Sequence, residues 1–221
     1  MPIRSLFAAA AALMTVQAGA PAAAQEFVPP SEDPDGYVLA IVDVETTGLE
    51  PGHHEMIDIG AIYTDLDGNE LGRFFVRIDP DHPERAGEIA RGINGYDEAR
   101  WAELGASGEA EAADAFLAFH RETTAGRTAI FTAYNAYFDR AFVDAWLAEE
   151  DRPRFRDLYT YFLIDLPSVA WGRGYRGLSG GEIAADLGIA PETDDPLQHT
   201  GESGAAWNLE FYRALMAAEA E

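Results

Sequence analysis

Two acidic residues directly follow an apolar run near the start of the chain. Residues 38–42 (VLAIV) are typical of a strand that is buried on both faces. Asp43 and Glu45 come next, and because side chains alternate along a strand, both point to the same face. At roughly 6–7 Å the two carboxylates repel by on the order of a few kcal/mol. A divalent cation would relieve this repulsion, since hard cations prefer oxygen ligands; the alternative is a strand that ends in a polar loop.

A third acidic residue lies on a predicted helix over residues 136–149. In a helical projection, Asp139 falls between Val143 and Trp146 on the apolar arc, which predicts that its side chain points inward. A buried carboxylate without a partner costs several kcal/mol, so it needs a proton, a basic partner or a metal ion. The sequence is compatible with either an arginine or a metal ion as the partner of the Asp139 carboxylate. Asn135, directly before the helix, is predicted to cap it.

One histidine stands apart from the others. His199 directly precedes a last predicted helix over residues 201–218, and a neutral imidazole with a pKa near 6.5 accepts a proton at neutral pH. The remaining histidines are predicted to be surface or hydrogen-bonded structural residues: His53, His54, His82 and His120.

Together these residues resemble the DEDDh family of 3′–5′ exonucleases, which includes the proofreading subunits of bacterial replicative polymerases and the oligoribonucleases. Residues 43–49 (DVETTGL) resemble the first motif of that family. Residues 135–139 (NAYFD) resemble its second motif, with Tyr134 where a histidine is common. The resemblance extends over residues 37–218, and further similar segments are 93–95, 164–166 and 178–189.

The resemblance implies a ribonuclease H-like fold and two divalent metal ions, Mg²⁺ or Mn²⁺. Asp43 would bridge both ions, Glu45 would bind one, and Asp139 would help to hold the second. His199 would act as the general base on the attacking water, while the two ions activate that water and stabilise the leaving 3′ oxygen. The residues implied to contact the terminal nucleotide are Thr46, Thr47, Leu49, Tyr134 and Asn135.

The third motif of the family departs from the pattern. The family has a metal-binding aspartate five residues after the histidine, and this chain has Gly204 there. Gly204 is predicted to lie on the core-facing arc of the last helix. Hydrolysis survives if Glu202, an acid of the pair Asp194–Asp195, or water completes the site. Otherwise the chain is a metal or nucleotide binder.

Residues 172–177 (GRGYRG) match the dinucleotide-binding pattern G-x-G-x-x-G. The match follows a short predicted helix rather than a strand, and Arg173 and Arg176 occupy variable positions, so we do not interpret it as a cofactor site. It predicts either a solvated loop or a loop whose arginines contact a phosphate or base.

The amino terminus has the pattern of a secretory signal peptide. Residues 1–24 contain a basic residue, an apolar stretch and a small-residue cleavage site. The apolar stretch is shorter than the about 20 residues that span a bilayer. We therefore predict export to the periplasm or the medium, with no membrane association after cleavage. Residues 25–36 read as a flexible lead-in, and residues 37–221 as one exonuclease-like domain.

The charge of the chain limits how it can hold nucleic acid. The formal net charge is −24, all 15 basic residues are arginine, and there is no cysteine. An acidic surface repels the phosphate backbone, which excludes binding of long nucleic acid to a broad basic face. A short end held through metal ions is compatible with this charge; the alternative is that the acidity only maintains solubility.

Strand and helix patterns alternate in an order that predicts an α/β fold. A mixed five-stranded sheet is expected, with an antiparallel three-strand meander closed by a hairpin at residues 67–69 and helices on both faces. The second to fifth strands are predicted at residues 56–65, 71–78, 128–134 and 159–163.

The function predicted first is an exported, metal-dependent 3′–5′ exonuclease acting on short single-stranded DNA or RNA. A catalytically impaired relative that binds nucleic-acid ends or nucleotides is the alternative. A third hypothesis is an acidic exported protein that retains this fold but neither cleaves nor binds nucleic acid. The sequence predicts neither whether the substrate is DNA or RNA nor the oligomeric state.

Overall fold

The computed structural model describes residues 28–148 and 152–218. The predicted signal peptide, residues 1–24, lies outside the described residues, as does the beginning of the predicted lead-in. No helix in the described part of the chain is both long and apolar enough to cross a membrane.

A mixed six-stranded sheet forms the centre of the domain. Its strands are β1 (Tyr37–Thr46), β2 (Met56–Thr64), β3 (Glu70–Asp79), β4 (Ser107–Gly108), β5 (Thr128–Ala133) and β6 (Tyr159–Asp165). They lie in the order β4-β3-β2-β1-β5-β6. The β1–β2 and β2–β3 pairs are antiparallel, whereas the β1–β5, β5–β6 and β3–β4 pairs are parallel.

The predicted meander and the mixed sheet are therefore confirmed. The predicted number of five strands is corrected to six, because β4 pairs with the end of β3. β4 has only two residues, which is too short for any side-chain alternation to be visible in the sequence.

Helices cover both faces of the sheet, as predicted. Those in the described ranges are α1 (Glu88–Asn94), α2 (Glu98–Glu103), α3 (Glu109–Thr124), α4 (Ala136–Trp146), α5 (Phe155–Leu158), α6 (Leu166–Gly172), α7 (Gly180–Leu187) and α8 (Gly201–Ala217). The helix predicted for residues 136–149 ends at Trp146, and residue 149 lies outside the described residues.

The two faces of β1 belong to different cores. Its even-numbered residues from Val38 to Val44 pack in a cluster with residues of α3 and α4. Leu39 and Ile41 pack on the opposite face, against α6, α7 and α8. Each fully buried aliphatic side chain of this kind stabilises the fold by about 1.5–3 kcal/mol. Because side chains alternate, residues 43 and 45 continue the face that α8 covers.

The beginning of α8 lies against the sheet without intervening side chains. A Cβ atom at Gly60 of β2 would lie 2.0 Å from the carbonyl oxygen of Gly201, and one at Gly201 would lie 2.5 Å from the amide nitrogen of Gly60. Backbone therefore meets backbone here. This contact fixes the first turn of α8 beside the end of β1.

Replacement of Gly60 by alanine should lower the free energy of unfolding by about 1–3 kcal/mol or more, because the added methyl group forces α8 away from the sheet. Urea unfolding followed by circular dichroism measures the change. The matched control is Gly92→Ala on α1, where no atom lies within 4 Å of the added group. The control should be neutral or stabilising by up to about 1 kcal/mol. Equal stability of the two variants would contradict the backbone contact.

A buried polar cluster lies between α3 and the sheet. His120 is 8% exposed, and its Nδ1 atom lies 2.7 Å from the hydroxyl of Tyr63, which is 3.1 Å from the hydroxyl of Tyr159. Burial lowers the pKa of His120 to about 4. His120 thus has the hydrogen-bonded structural position predicted for it.

The low pKa of His120 predicts a loss of stability in mild acid. The unfolded chain takes up a proton near pH 6.5, whereas the native imidazole stays neutral down to about pH 4. The unfolded state therefore binds more protons in this range, so stability falls as the pH falls. Between pH 7 and pH 5 the loss should be about 2 kcal/mol. Urea unfolding at both values should show a smaller loss for His120→Gln; an equal loss would contradict the assignment.

Candidate active site

The candidate site lies at the carboxyl end of β1, between the beginnings of α4 and α8. Asp43 and Glu45 come from β1, Asp139 from α4 and His199 from the loop before α8. Two contacts connect these segments: the Val44 amide to Asp139, and His199 to Glu45. The structure therefore brings together the residues that the sequence singled out.

Asp139 is held by the backbone of β1. Pairing of β1 with β5 ends at Ile41 and Thr132, and beyond it the amide of Val44 donates to Asp139 Oδ1 at 3.1 Å. Asp139 is 3% exposed, which confirms that it points inward. Among the described residues no arginine forms a salt bridge with Asp139, so the structure does not support an arginine partner.

Glu45 is buried between a histidine and an amide. Its Oε1 atom lies 3.1 Å from His199 Nε2, and its Oε2 atom accepts from Asn94 Nδ2 at 3.1 Å. The Asn94 amide also donates to the Thr46 carbonyl at 3.0 Å, which fixes its orientation. Asn94 lies in a segment that resembles the exonuclease family, but sequence reasoning gave it no role.

His199 is oriented by hydrogen bonds on both ring nitrogens. The Thr193 carbonyl can only accept, so Nδ1 donates to it, at 2.8 Å. Nε2 then faces the carboxylate of Glu45. This hydrogen bond raises the pKa of His199 to about 9, despite the opposing effect of burial. With this hydrogen bond in place, the imidazole is protonated at neutral pH and Nε2 donates to Glu45 Oε1.

Asp43 lies directly against α8. A Cβ atom at Gly204 would lie 2.2 Å from Asp43 Oδ2, so the carboxylate occupies the space that a side chain at position 204 would need. Gly204 is buried, as predicted from its place on the core-facing arc. Burial, followed by repulsion from Asp139, Glu192 and Glu45, raises the pKa of Asp43 well above its ordinary value. Burial likewise raises the pKa of Asp139.

Asp58 is a further carboxylate that sequence reasoning missed. It lies on β2 opposite Glu45, is fully buried, and accepts from the Gly201 amide at 2.8 Å through Oδ1. Its Oδ2 atom has no hydrogen-bond partner among the described residues. Burial, and then repulsion from Glu45, raises the pKa of Asp58 to about 8. The sequence feature that could have identified Asp58 is its position as an acidic residue within the apolar run at residues 56–62.

Glu192 is the second missed carboxylate. It lies in the loop between α7 and α8, with Oε1 4.0 Å from His199 Nε2. None of the acids predicted to compensate for Gly204 has a comparable position. Glu202 and Asp194 are exposed, and Asp195 accepts hydrogen bonds from the backbone and a side chain of its own loop.

Two of the residues predicted to contact the nucleotide, Thr46 and Thr47, have hydroxyl groups that bond within the turn after β1. The Thr46 hydroxyl donates to the Gly48 carbonyl at 2.7 Å, and the Thr47 hydroxyl accepts from the Glu55 amide at 2.9 Å. Both threonines are buried, so their hydroxyls shape the turn after β1. Leu49, at the tip of this turn, is 79% exposed.

Tyr134 and Asn135 line a cavity of about 500 Å³ that extends towards α6 and α7. The Tyr134 ring packs against Trp207, with ring centroids 5.3 Å apart. The predicted capping role of Asn135 is wrong: its φ of 61° places it in the left-handed region, and its side chain makes no cap hydrogen bond. A capping residue normally has extended backbone. Asp165 Oδ1 accepts from the Ala136 amide at 3.0 Å instead.

The glycine-rich loop at residues 172–177 connects α6 to α7, as expected from its position after a helix. The guanidinium of Arg176 lies over the Trp171 ring at 4.4 Å from its centroid. Arg173 donates to the carbonyl of Ala218. Both arginines are therefore engaged by neighbouring groups.

The donor set fits a hard divalent cation in its chemistry. The acidic groups at the end of β1 are the half-buried Asp43 and the buried Glu45 and Asp139, and Ca²⁺, Mg²⁺ and Mn²⁺ prefer such oxygen ligands. In their present conformations, the His, Asp and Glu side chains of the described residues do not form a group of three or more that could hold one metal ion.

Comparison with sequence families identifies an exonuclease domain. The family described as Exonuclease (RNase_T) matches residues 40–164, which include Asp43, Glu45 and Asp139 but end before His199 and Gly204. Among curated proteins, no relative matches the sequence.

Solved structures of exonuclease I are similar to this chain. The Escherichia coli enzyme in complex with a dT13 oligonucleotide is 14% identical, with a TM-score of 0.64 over 82% of this chain and 41% of that one. The zinc-bound complex of the E. coli enzyme with single-stranded DNA is 15% identical, with a TM-score of 0.62 over 81% of this chain and 40% of that one. Exonuclease I from Methylocaldum szegediense is 18% identical, with a TM-score of 0.61 over 82% and 41%.

This chain therefore spans about two fifths of the length of those structures, and the likeness is one of fold. The family match, by contrast, covers more than half of the sequence. The chain belongs to the exonuclease family and has its ribonuclease H-like fold.

Proposed function

We propose that this protein is a metal-dependent exonuclease that hydrolyses phosphodiester bonds at the 3′ end of short single-stranded DNA or RNA. The observation that carries the proposal is the meeting of Asp43, Glu45, Asp139 and His199 at the end of β1, in a domain of the exonuclease family. The oligonucleotide complexes of exonuclease I support a single-stranded substrate.

The carboxylates of Asp43, Glu45 and Asp139 would hold the divalent ions, Mg²⁺ or Mn²⁺. When bound, such ions activate water and stabilise the leaving oxygen of a phosphodiester. The raised pKa values of Asp43 and Asp139 support this role, because buried like-charged carboxylates favour a nearby cation. Binding at these groups is therefore expected to release protons.

His199 is positioned to accept a proton once its bond to Glu45 weakens. The Thr193 carbonyl retains the proton on Nδ1, which leaves Nε2 as the basic atom of the neutral ring. Neutralising the charge of Glu45 removes the main cause of the high His199 pKa. The imidazole then becomes a base that can take a proton from water near neutral pH.

The surroundings of the site favour a short substrate. The net charge of −24 disfavours a long polyanion, whereas the cavity of about 500 Å³ beside Tyr134 and Asn135 is large enough for a nucleotide. Stacking of a base on an aromatic ring such as Tyr134 is worth about 1–3 kcal/mol. Export to the periplasm or the medium, with a cleaved signal peptide, belongs to the same proposal.

A second candidate function is a catalytically impaired relative that binds nucleic-acid ends or nucleotides. Gly204 favours this candidate, because α8 presents no carboxylate to the site at that position. The two functions differ in one measurable respect, which is whether bound substrate becomes shorter.

The purified protein should shorten a 5′-labelled single-stranded oligonucleotide progressively from its 3′ end in the presence of Mn²⁺ or Mg²⁺, and EDTA should stop the reaction. Asp139→Asn should reduce the rate by about 10²-fold or more, because it removes a buried charge from the proposed metal site. The matched control is Asp144→Asn on the same helix, where the carboxylate is 48% exposed and pairs with Arg154.

The control variant should keep the wild-type rate. Wild-type activity of Asp139→Asn would refute the site assignment. Metal-dependent binding of the oligonucleotide without shortening would identify the second candidate function instead.

A further inference from the structure

Glu192 brings a carboxylate to the candidate site from the loop between α7 and α8, the loop that also carries His199. Its Oε1 atom lies 4.0 Å from His199 Nε2, and the same nitrogen lies 3.1 Å from Glu45 Oε1. The side chain of Glu192 is 30% exposed, against 8% for Glu45. The two carboxylates thus approach one imidazole, one from β1 and one from the loop before α8.

The backbone on both sides of Glu192 is held by hydrogen bonds from side chains of α8 and of the end of its own loop. The indole of Trp207 donates to the Ala190 carbonyl at 3.0 Å. His199 Nδ1 donates to the Thr193 carbonyl at 2.8 Å. Because the chain is held two residues before and one residue after Glu192, its direction into the site is set by the fold.

Glu192 also interacts electrostatically with the carboxylates of the site. Its charge raises the pKa of Asp43 and of Asp139, and burial and repulsion from Glu45 raise its own pKa. His199 is the only residue with an opposing influence on Glu192 among the causes of that shift. The local excess of negative charge therefore includes Glu192 and is unfavourable unless a cation or proton compensates it.

The α8 side of the site has no side chain of its own at the point nearest to Asp43. The backbone of Gly204 abuts the Asp43 carboxylate, and Glu202 is exposed on the first turn of the helix. The loop that precedes α8 is therefore the segment on this side that delivers a carboxylate, through Glu192.

We propose that Glu192 is a further ligand for the divalent cation at this site and supplies the carboxylate that α8 lacks. The inference rests on the proposed function, since it assumes that the carboxylates at the end of β1 bind a cation. It assigns to the loop between α7 and α8 a direct part in forming the metal site.

The test is Mn²⁺ binding by isothermal titration calorimetry at neutral pH, without oligonucleotide. Glu192→Gln should weaken Mn²⁺ binding by about 10-fold or more, because a neutral amide is a poorer ligand than a carboxylate. The matched control is Asp194→Asn, which makes the same change at an exposed position of the same loop. The control should bind Mn²⁺ within about twofold of the wild type. Wild-type affinity of Glu192→Gln would overturn the proposal.

A second variant separates ligation from charge alone. Glu192→Asp keeps the charge but withdraws the carboxylate by about 1.5 Å, one carbon–carbon bond. A direct ligand should lose affinity on this change, so the variant should bind Mn²⁺ more weakly than the wild type. If Glu192→Asp binds Mn²⁺ as tightly as the wild type while Glu192→Gln does not, only the charge matters and ligation by Glu192 is refuted.

These measurements distinguish the inference from the proposed function. Mn²⁺ binding that depends on Glu192, without shortening of an oligonucleotide, would support the inference and contradict the exonuclease. Shortening with Mn²⁺ affinity independent of Glu192 would support the exonuclease and contradict the inference. Failure of the wild-type protein to bind Mn²⁺ would overturn both.

Discussion

Repulsion among carboxylates at the end of β1 is the constraint that the surrounding structure has to satisfy. Asp139 and Glu45 are almost fully buried, where water screens little of their charge. Each is compensated by donors from a different part of the chain: the Val44 amide for Asp139, and Asn94 with His199 for Glu45. The compensation is incomplete, since burial raises the pKa of Asp139 despite the bond from the Val44 amide, and the proposed cation would offset the remaining charge.

The topology explains why such distant segments meet there. β1 and β5 are parallel neighbours, so α4, which follows β5, begins at the same edge of the sheet where β1 ends. In open sheets of this kind, ligands bind outside the carboxyl ends of the strands. The contact between Gly60 and Gly201 brings α8 to the same edge. The parallel pairing and the glycine contact therefore place the beginnings of α4 and α8 beside the two acids of β1.

Much of this arrangement could be predicted from the sequence because it depends on local patterns. Asp43 was visible as an acid after an apolar run, and Asp139 as an acid on an apolar helical arc. Asp58 gave a similar signal, but an acid in an alternating strand normally faces solvent, and only the covering α8 makes this one buried.

The remaining features depend on contacts that the sequence pattern does not contain. Glu192 lies in a loop without periodicity, and its direction depends on tertiary hydrogen bonds made by Trp207 and His199. The left-handed backbone of Asn135, a conformation that asparagine adopts more readily than most residues, removes the expected capping bond and depends on the folded chain.

The bond from the Gly201 amide to Asp58 has a further electrostatic consequence. It marks the amino-terminal end of α8, where the aligned peptide dipoles of the helix are equivalent to roughly half a positive charge. The glycine contact with β2 holds this positive pole against the sheet, close to Asp43. Since the pole arises from the backbone, it does not titrate and does not dissociate, and it moderates the repulsion between the acids at every pH at which α8 is folded.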